Sequence, residues 1–533
     1  MLSDTGVKSS AWSPLGYTTF RWLWLASIAS NIGTWMHEVG AGWLMTSLSA
    51  SPMNVALVQV AGSAPMFFLA LPAGAMADIV DRRRYLLGVQ LWMAAVAMTL
   101  ALLTLSGQMT VTLLLLLTLS MGIGTALMMP AWSALTPELV DKSDLPAAIA
   151  LSSVGVNVAR AIGPAIAGVL VSLSGPWATF ALNSLSFFAV IVVLLFWRRE
   201  VVPAVLPAER LWGAIRAGWR YSRASKPLQA VLLRALAFFL GASGGMSLLP
   251  LIVRQELHGS AADFGLLLGS VGVGAVIGAT LLPKVRDKVQ ADALVAGASL
   301  LYALVIVALA FVRDLPVLIA VMFISGTAWI AVLSTLQVAA QTAVPSWVRA
   351  RALSVYILVF FGSMACGGLL WGFVASYSSI ATALCGAAVA LLLGIGATLR
   401  FKLPVTDAED LAPSLHWPVP VLLDQQDPDH GPVMITVEYQ VAAENWLAFQ
   451  QAMNDVRRMR RRNGAFSWAL VQDTENLQRW LEVFFDESWL EHLRHHNRVT
   501  RAEQRIEAKA RRLQMDGVPV QIRHLLAGQG QHP

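Results

Sequence analysis

Gly74-Ala-Met-Ala-Asp78-Ile-Val-Asp81-Arg82-Arg83-Arg84 closes one long apolar run and opens the next. A lag of 204 residues brings Gly278-Ala-Thr-Leu-Leu282-Pro-Lys284-Val-Arg286 into the same relation to another pair of runs. The same lag carries Gly163 onto Gly367 and Gly168 onto Gly372. A single lag that aligns a short charged loop in one place and a glycine-spaced apolar segment in another points to two copies of one unit. Helix bundles built from parallel repeats carry this signature.

The composition places both copies in a bilayer. Hydrophobic residues make up 56% of the 533-residue chain and charged ones 13%, with a mean hydropathy of +0.62, which excludes a wholly water-soluble protein. About 20 helical residues cross a hydrocarbon core of ~30 Å. Apolar runs of that length are predicted near 20–46, 53–77, 85–106, 109–135, 145–172, 176–197, 229–252, 261–283, 291–312, 314–342, 350–376 and 379–400. The expectation is twelve transmembrane helices in two six-helix repeats. The first run is too long and too polar at its centre for a cleaved secretory signal, so it is expected to stay in the mature protein.

Basic residues accumulate in cytoplasmic loops. One set of loops holds Arg82, Arg83, Arg84, Lys142, the run from Arg198 to Lys226, Lys284, Arg286, Lys288, Arg349, Arg351, Arg400 and Lys402, whereas the opposite set holds Arg254 and Arg313. Both termini and the middle loop are therefore expected on the cytoplasmic side of the cell membrane. In that loop Arg210, Arg216, Arg220 and Arg223 stand among Trp212 and Trp219, which suits either an amphipathic helix on an anionic leaflet or a basic linker that sets orientation. Residues 1–402 carry 24 Lys+Arg against 14 Asp+Glu, and 403–533 carry 14 against 18. The positive charge thus belongs to the membrane part and is no nucleic-acid signature. Cys366 and Cys385 lie in apolar runs, and no disulfide framework is implied.

Five domains are expected: a six-helix half over 1–200, a middle loop over 201–228, a second half over 229–402, a linker over 403–431 and a soluble tail over 432–533. The linker holds Pro404, Pro413, Pro418, Pro420 and Pro428, and proline fixes an extended backbone without an amide donor. In the tail, 433–441 alternates as a strand and 443–462 carries Trp446, Phe449, Met453 and Val456 at helical spacing. Residues 465–472 and 480–485 read as a strand pair, followed by one long helix from Ser488 to Leu513 and a last strand over 518–524. This βαββαβ order predicts a ferredoxin-like α+β domain. Ser488 with Glu491 has the form of a helix cap.

The loop after the second span resembles the latch of the major facilitator superfamily, in which a glycine is followed four residues later by an aspartate and then by basic residues. Gly74, Asp78, Arg82 and Arg83 carry the match, while Ile79 and Asp81 depart from it. The resemblance implies a conformational gate at Asp78 and the arginines; an orientation signal with an incidental aspartate is the alternative. In the second copy Gly278 and Arg286 recur but Leu282 replaces the aspartate. The fifth span, Gly155-Val-Asn157-Val-Ala-Arg160-Ala-Ile-Gly163-Pro164-Ala-Ile-Ala-Gly168, resembles the glycine and Gly-Pro signature of antiporting exporters in that superfamily. Small residues with a helix-bending proline suit rocking against neighbouring helices, or close packing alone. The basic motif of the fourth helix is missing, since Thr118 precedes Gly122 where arginine is the family's choice.

Ionisable groups inside a membrane line cavities or pair with one another. The first span offers Asn31, His37 and Glu38, the fifth Asn157 and Arg160, and the second half Gln337 and Gln341. The superfamily resemblance makes helices 1 and 5 cavity-lining, so that Glu38 and Arg160 would face one another across a central path. Three roles stay open for Glu38: proton coupling, a structural ion pair with Arg160, and a boundary position. His37 lies about 100° round the helix from Glu38. Gln337 and Gln341, four residues apart, suit substrate hydrogen bonds or interhelical glue.

With Gly33-Thr-Trp-Met-His37-Glu38-Val-Gly-Ala-Gly-Trp43, residues 15–402 resemble the exporter branch of transmembrane secretion effectors, which is similar to enterobactin exporters. The resemblance implies proton-driven efflux of a siderophore, drug or metabolite, with no cofactor. An importer of the same fold and a membrane-tethered oxygenase or sensor are the other readings. No Gly-Lys-Ser/Thr phosphate loop occurs, so ATP is not the expected driving force. By its pattern of strands, helices and aromatic residues Trp446, Trp468, Trp480, Phe484 and Trp489, the tail resembles the dimeric α+β barrels of the antibiotic-biosynthesis monooxygenase type. That implies a homodimer contact or a small aromatic ligand. His492, His495 and His496 share one helical face; they are expected on a solvated or dimer-facing surface, with no metal assigned.

Overall fold

The computed structural model describes residues 12–141, 143–197, 221–403, 414, 416–417, 431–515 and 517–527. Lys142, most of the basic middle loop with its tryptophans, most of the proline-rich linker and the Asp78 side chain lie outside the described residues. The chain divides into two units, one within Met1–Ala208, Leu232–Leu336 and Tyr356–Lys402, the other within Glu209–Val231, Gln337–Val355 and Leu403–Pro533.

Among the described residues twelve long helices precede the tail: α1 (Thr18–Leu48), α2 (Pro52–Ile79), α3 (Arg82–Leu105), α4 (Val111–Leu139), α5 (Leu145–Ser174), α6 (Trp177–Phe196), α7 (Lys226–Leu251), α8 (Ala261–Arg286), α9 (Ala291–Phe311), α10 (Leu315–Thr342), α11 (Arg349–Tyr377) and α12 (Ile380–Thr398). Among the described residues eleven are long and apolar enough to cross a membrane, and α1 is not one of them. It has the length, but Ser27, Ser30, Asn31, Thr34, His37 and Glu38 dilute its apolar character. Large apolar side chains point outward, with Leu173 80% and Phe196 83% exposed, which suits hydrocarbon and not water.

The 204-residue lag reappears as matched contacts. Gly163 lets α5 press on Trp35 of α1, where an added Cβ would stand 2.7 Å from the tryptophan Cβ, and Gly367 lets α11 press on Leu240 and Ser243 of α7. Gly122 brings α4 against the Gly62 carbonyl of α2, and Gly326 brings α10 against the Val271 carbonyl of α8. Gly168 and Gly372 do the same between the halves: α5 meets Ala261 and Gly265 of α8, and α11 meets Met53 and Ala56 of α2. Small residues allow such backbone approach where lipid offers no hydrophobic drive for association.

A pair of hydrogen bonds completes the match. Ala262, second residue of α8, donates its amide to Ser172 Oγ of α5 at 3.1 Å. Met53, second residue of α2, donates to Ser376 Oγ of α11 at 3.0 Å. Each serine thus satisfies an amide that the helix start leaves without an intrahelical partner. Both bonds sit at the end of the bundle bearing loops 49–51, 175–176, 257–260 and 378–379, opposite the basic loops. At that same end Arg254 donates to Thr46 Oγ1 at 3.1 Å and covers the Trp43 ring at 5.5 Å. From there the glycine contacts between the halves run inward as far as Arg160 opposite Gly272 and Phe67 opposite Gly362.

The second unit contains an antiparallel sheet of β1 (Val433–Gln440), β2 (Ser467–Gln472), β3 (Arg479–Asp486) and β4 (Gln521–Leu526), in the order β2-β3-β1-β4. Helices α13 (Trp446–Asn463), α14 (Trp489–Arg498) and α15 (Arg501–Arg511) complete it. Val433, Ile435, Val437 and Tyr439 alternate inward and pack with Phe449, Met453, Val456 and Phe484. The expected single helix from Ser488 to Leu513 is broken at Val499. Thr500 begins a new helix with a reciprocal capping box: Glu503 donates its amide to Thr500 Oγ1 at 3.3 Å, and Thr500 donates its own to Glu503 Oε2 at 2.9 Å. That local pairing satisfies amides at a fresh helix start and stops α14 from running on. In the same unit Tyr221 meets the Trp347 ring at 5.8 Å, and Arg498 lies over Trp347 at 4.6 Å.

Replacing Gly168 with valine forces branched atoms into the backbone of α8, where a Cβ alone would stand 2.7 Å from the Ala261 carbonyl oxygen. The expected cost is about 1–3 kcal/mol, read as a lowered thermal midpoint of the detergent-solubilised protein. Gly88→Ala, where a Cβ meets nothing within 4 Å, is expected to leave the midpoint nearly unchanged.

Candidate functional site

Helices α1 and α5 pack along one another and bring the polar residues of both spans to mid-bundle. Asn31 donates its side-chain amide to the Ser27 carbonyl at 2.8 Å, and Asn157 to the Ser153 carbonyl at 2.9 Å. Both asparagines thereby satisfy a donor on their own helix. Arg160 lies over the Trp35 ring at 5.5 Å, and its Nε is buried with no hydrogen-bond partner. Glu38 is exposed, although Met36, His37, Val39 and Gly40 beside it on α1 are buried. Glu38 and Arg160 interact electrostatically, and no ion pair within 4.0 Å joins them among the described residues. His37 points elsewhere. It is buried against Phe180 of α6 with ring centroids 5.1 Å apart, and neither ring nitrogen has a partner.

Gln337 is exposed and Gln341 half-buried; both fall in the second unit. In the loop after α2, Asp81 accepts the Arg84 amide at 3.0 Å and caps α3, which gives the unexpected aspartate a structural role. Arg82 pairs with Glu138 of α4 at 2.5 Å and also donates to the Ala134 carbonyl. Arg83 donates its Nε to the Leu194 carbonyl of α6 at 2.7 Å. The repeat counterpart Arg286 reaches Ser334 and Thr335 of α10 at 3.0 and 3.1 Å. Arg82 and Arg286 thus span from one helix start or end to a neighbouring helix further along the chain. Gly74 and Gly278 differ: a Cβ would meet nothing within 4 Å at the first and would crowd Thr327 and Ile330 at the second.

Arg234 is a buried charge that sequence reasoning missed. It is 5% exposed and pairs with Asp292 at 2.6 Å while donating its Nε to the Phe401 carbonyl. An arginine within an apolar run was the available signal.

The tail holds two further polar clusters. Arg460 is buried between Glu482 and Glu507, donating Nε to Glu482 Oε1 at 3.0 Å and Nη1 to Glu507 Oε1 at 2.6 Å. Trp468 and Trp417 donate their indole N–H groups to Glu482 and Glu507, each at 2.9 Å. Burial works to raise the Glu507 carboxyl, but the Arg460 charge and the hydrogen bonds of His416 and Trp417 bring it down to about 2.

The second cluster corrects the expectation of a solvated histidine face. His492 and His495 are 1% and 0% exposed, and both hold Asp486, with Nδ1 at 2.8 Å and 3.2 Å from its oxygens. Burial would push the Asp486 carboxyl up, yet the two histidines hold it well below the usual carboxylate range. Burial and then the neighbouring histidines push His496 down to about 3.

The two-fold bundle of apolar helices is that of a multi-pass membrane protein, and the family match makes it a transporter of the major facilitator superfamily. The chain belongs to the transmembrane secretion effector family, which it matches over residues 9–532. That span includes the tail. The chain is similar to the staphyloferrin A transporter of Staphylococcus aureus (strain NCTC 8325 / PS 47), 23% identical over 68% of this chain and 90% of that protein. It is also similar to the enterobactin exporter EntS of Salmonella choleraesuis (strain SC-B67), 24% identical over 51% of this chain and 66% of that protein. Its fold is shared by the nucleoside transporter NupG, with a TM-score of 0.57 and 12% identity over 72% of this chain and 98% of that one.

Removing the charge between the two tail glutamates strands buried carboxylates, so Arg460→Met is expected to destabilise the tail by roughly 3–5 kcal/mol, read by hydrogen exchange in β1 and β3 of the full chain. Because Glu507 titrates lower in the folded tail than in the unfolded chain, its stabilisation is complete above the ordinary glutamate range and drains as pH falls toward about 2. Acid titration of the same amides is expected to show this loss, and Glu507→Gln to flatten it.

Proposed function

We propose that this transporter exports a small molecule of the siderophore, drug or metabolite class across the cytoplasmic membrane in exchange for protons. The observation that carries the reading is Glu38, an exposed carboxylate in an otherwise buried stretch of α1 that interacts electrostatically with Arg160 of α5. Such a group is expensive to keep in a bilayer without a function. Arg160, with its charge over Trp35 and its Nε unpartnered, is the counter-group that shares the path; Asn31 and Asn157 offer side-chain oxygens to the cargo. Similarity to a staphyloferrin A transporter and an enterobactin exporter supports the cargo class, and the latter supports the outward direction.

In this reading α1 is the twelfth span, tolerated because its polar face lines the path, and both termini are cytoplasmic. Residues 1–200 and 229–402 are the two moving halves, 201–228 and 403–431 connect them and the tail, and 432–533 is a cytoplasmic ferredoxin-like domain that can pair with a second copy. The halves are joined at the end away from the basic loops by Ser172, Ser376 and the glycines beside them. Arg82, Arg83 and Arg286, with Asp78, form the gate at the basic end, while Gly155, Gly163, Pro164, Gly168, Gly367 and Gly372 are the surfaces on which the helices rock. His37 serves the α1–α6 contact.

Inverted membrane vesicles energised by a proton gradient, offered a panel of siderophores, drugs and dyes, test this. The expected outcome is uptake that a protonophore abolishes and that Glu38→Gln loses at least about tenfold, a change of ~1.4 kcal/mol or more in the coupling step. Gradient-dependent uptake undiminished in Glu38→Gln would remove Glu38 from the coupling.

A further inference from the structure

We infer that the tail contains a binding site for a divalent first-row transition ion, built from His492 and His496 of α14 and His524 of β4. One ligand nitrogen from each of the three lies within 4.8 Å of the other two. The Nε2 atoms of His492 and His496 are 3.1 Å apart. Imidazole–zinc bonds of about 2.0–2.1 Å in tetrahedral geometry place neighbouring nitrogens roughly 3.3 Å apart, so this pair already has the required spacing.

The fold brings the three together by two independent routes. Four residues along α14 put His492 and His496 on one helical face. On the sheet, Ile435 of β1 stands opposite both Phe484 and His524, so His524 shares the sheet face whose Ile435 and Phe484 enter the core. Its ring centroid is 4.8 Å from that of His492. His524 is exposed at the edge strand, which leaves it free to turn inward and leaves room for water as a further ligand.

Asp486 provides what an imidazole ligand needs behind it. His492 Nδ1 lies 2.8 Å from its Oδ2, which sets the ring so that Nδ1–H donates to the carboxylate and Nε2 presents its lone pair to His496. A carboxylate behind a histidine is the usual outer support of a metal ligand. His495 gives Asp486 a second donor at 3.2 Å and so fixes the carboxylate. Trp489 and Trp417 wall the cluster, with ring centroids 5.6 Å from His492 and 4.7 Å from His496. A set of imidazoles without a carboxylate in the inner position suits Zn²⁺, Co²⁺, Ni²⁺ or Cu²⁺; Ca²⁺ and Mg²⁺ require oxygen ligands. Occupancy would tie the edge strand β4 to α14.

The test uses the full-length, tag-free protein in detergent, titrated with Zn²⁺ against a chromogenic chelator and with Co²⁺ followed by its visible absorption. The expected result is one equivalent per chain, Co²⁺ bands of a low-coordinate nitrogen site, and slower hydrogen exchange over 521–526 with Zn²⁺. His496→Ala and His524→Ala, at half-buried and exposed positions, are each expected to weaken binding by about 100-fold or more, and Asp486→Asn by about 10- to 100-fold. His258→Ala is the control outside the cluster. Zn²⁺ affinity unchanged in both His496→Ala and His524→Ala, or no stoichiometric binding by the native chain, would overturn the site. Retained exchange protection in β1 and β3 of the apo variants separates loss of a ligand from loss of the fold.

Discussion

Backbone contact at glycine is the constraint on which the membrane unit rests. Between helices in lipid, burying a leucine gains little, because the tails are as apolar as the side chain. Association then depends on how closely backbones approach and on the few polar bonds that form where they do. Gly163 and Gly367 set this approach inside each half, and Gly168 and Gly372 set it between the halves. Ser172 and Ser376 add a hydrogen bond to a helix start just beyond the second pair. One repeated glycine spacing thus builds the bundle and joins its two copies, with inter-half contacts reaching from the end away from the basic loops to the level of Arg160.

Charges are treated differently in the two units. In the tail, Arg460 is matched by two carboxylates whose oxygens also accept from tryptophan and tyrosine and bond histidine. A network satisfied in this way holds the domain rigid. In the membrane unit Glu38 and Arg160 feel one another without an ion pair within 4.0 Å, and Arg160 leans on an aromatic face. Groups left incompletely paired in a low-dielectric setting favour any solute or proton that completes them. Arg234, by contrast, is neutralised by Asp292 and backbone carbonyls, which marks it as structural.

Helix positions were largely readable because a bilayer forces each span to be long, apolar and internally hydrogen-bonded, and the expected run at 145–172 became α5 at Leu145–Ser174. The strand alternation of 433–441 was equally direct, since one face of β1 is buried and the other half-exposed. Thr500-Arg-Ala-Glu503 was the place where periodicity misled. Its apolar spacing continues across the capping box, and only the reciprocal bonds show that the helix stops. The histidines misled for another reason: i, i+4 spacing gives a shared face without saying what covers it.

The sequence by itself determined the two-fold membrane architecture, the tail's order of elements and the residue types available for a path, because hydropathy, repeat lag and period are properties of the linear chain. Tertiary structure alone decided that His37 faces α6 while Glu38 stays exposed, that Asp81 caps α3, and that His524 meets His492 and His496. Those facts depend on which helix face meets which neighbour and on strand register. Residues far apart in the chain settle both, through packing that no local pattern encodes.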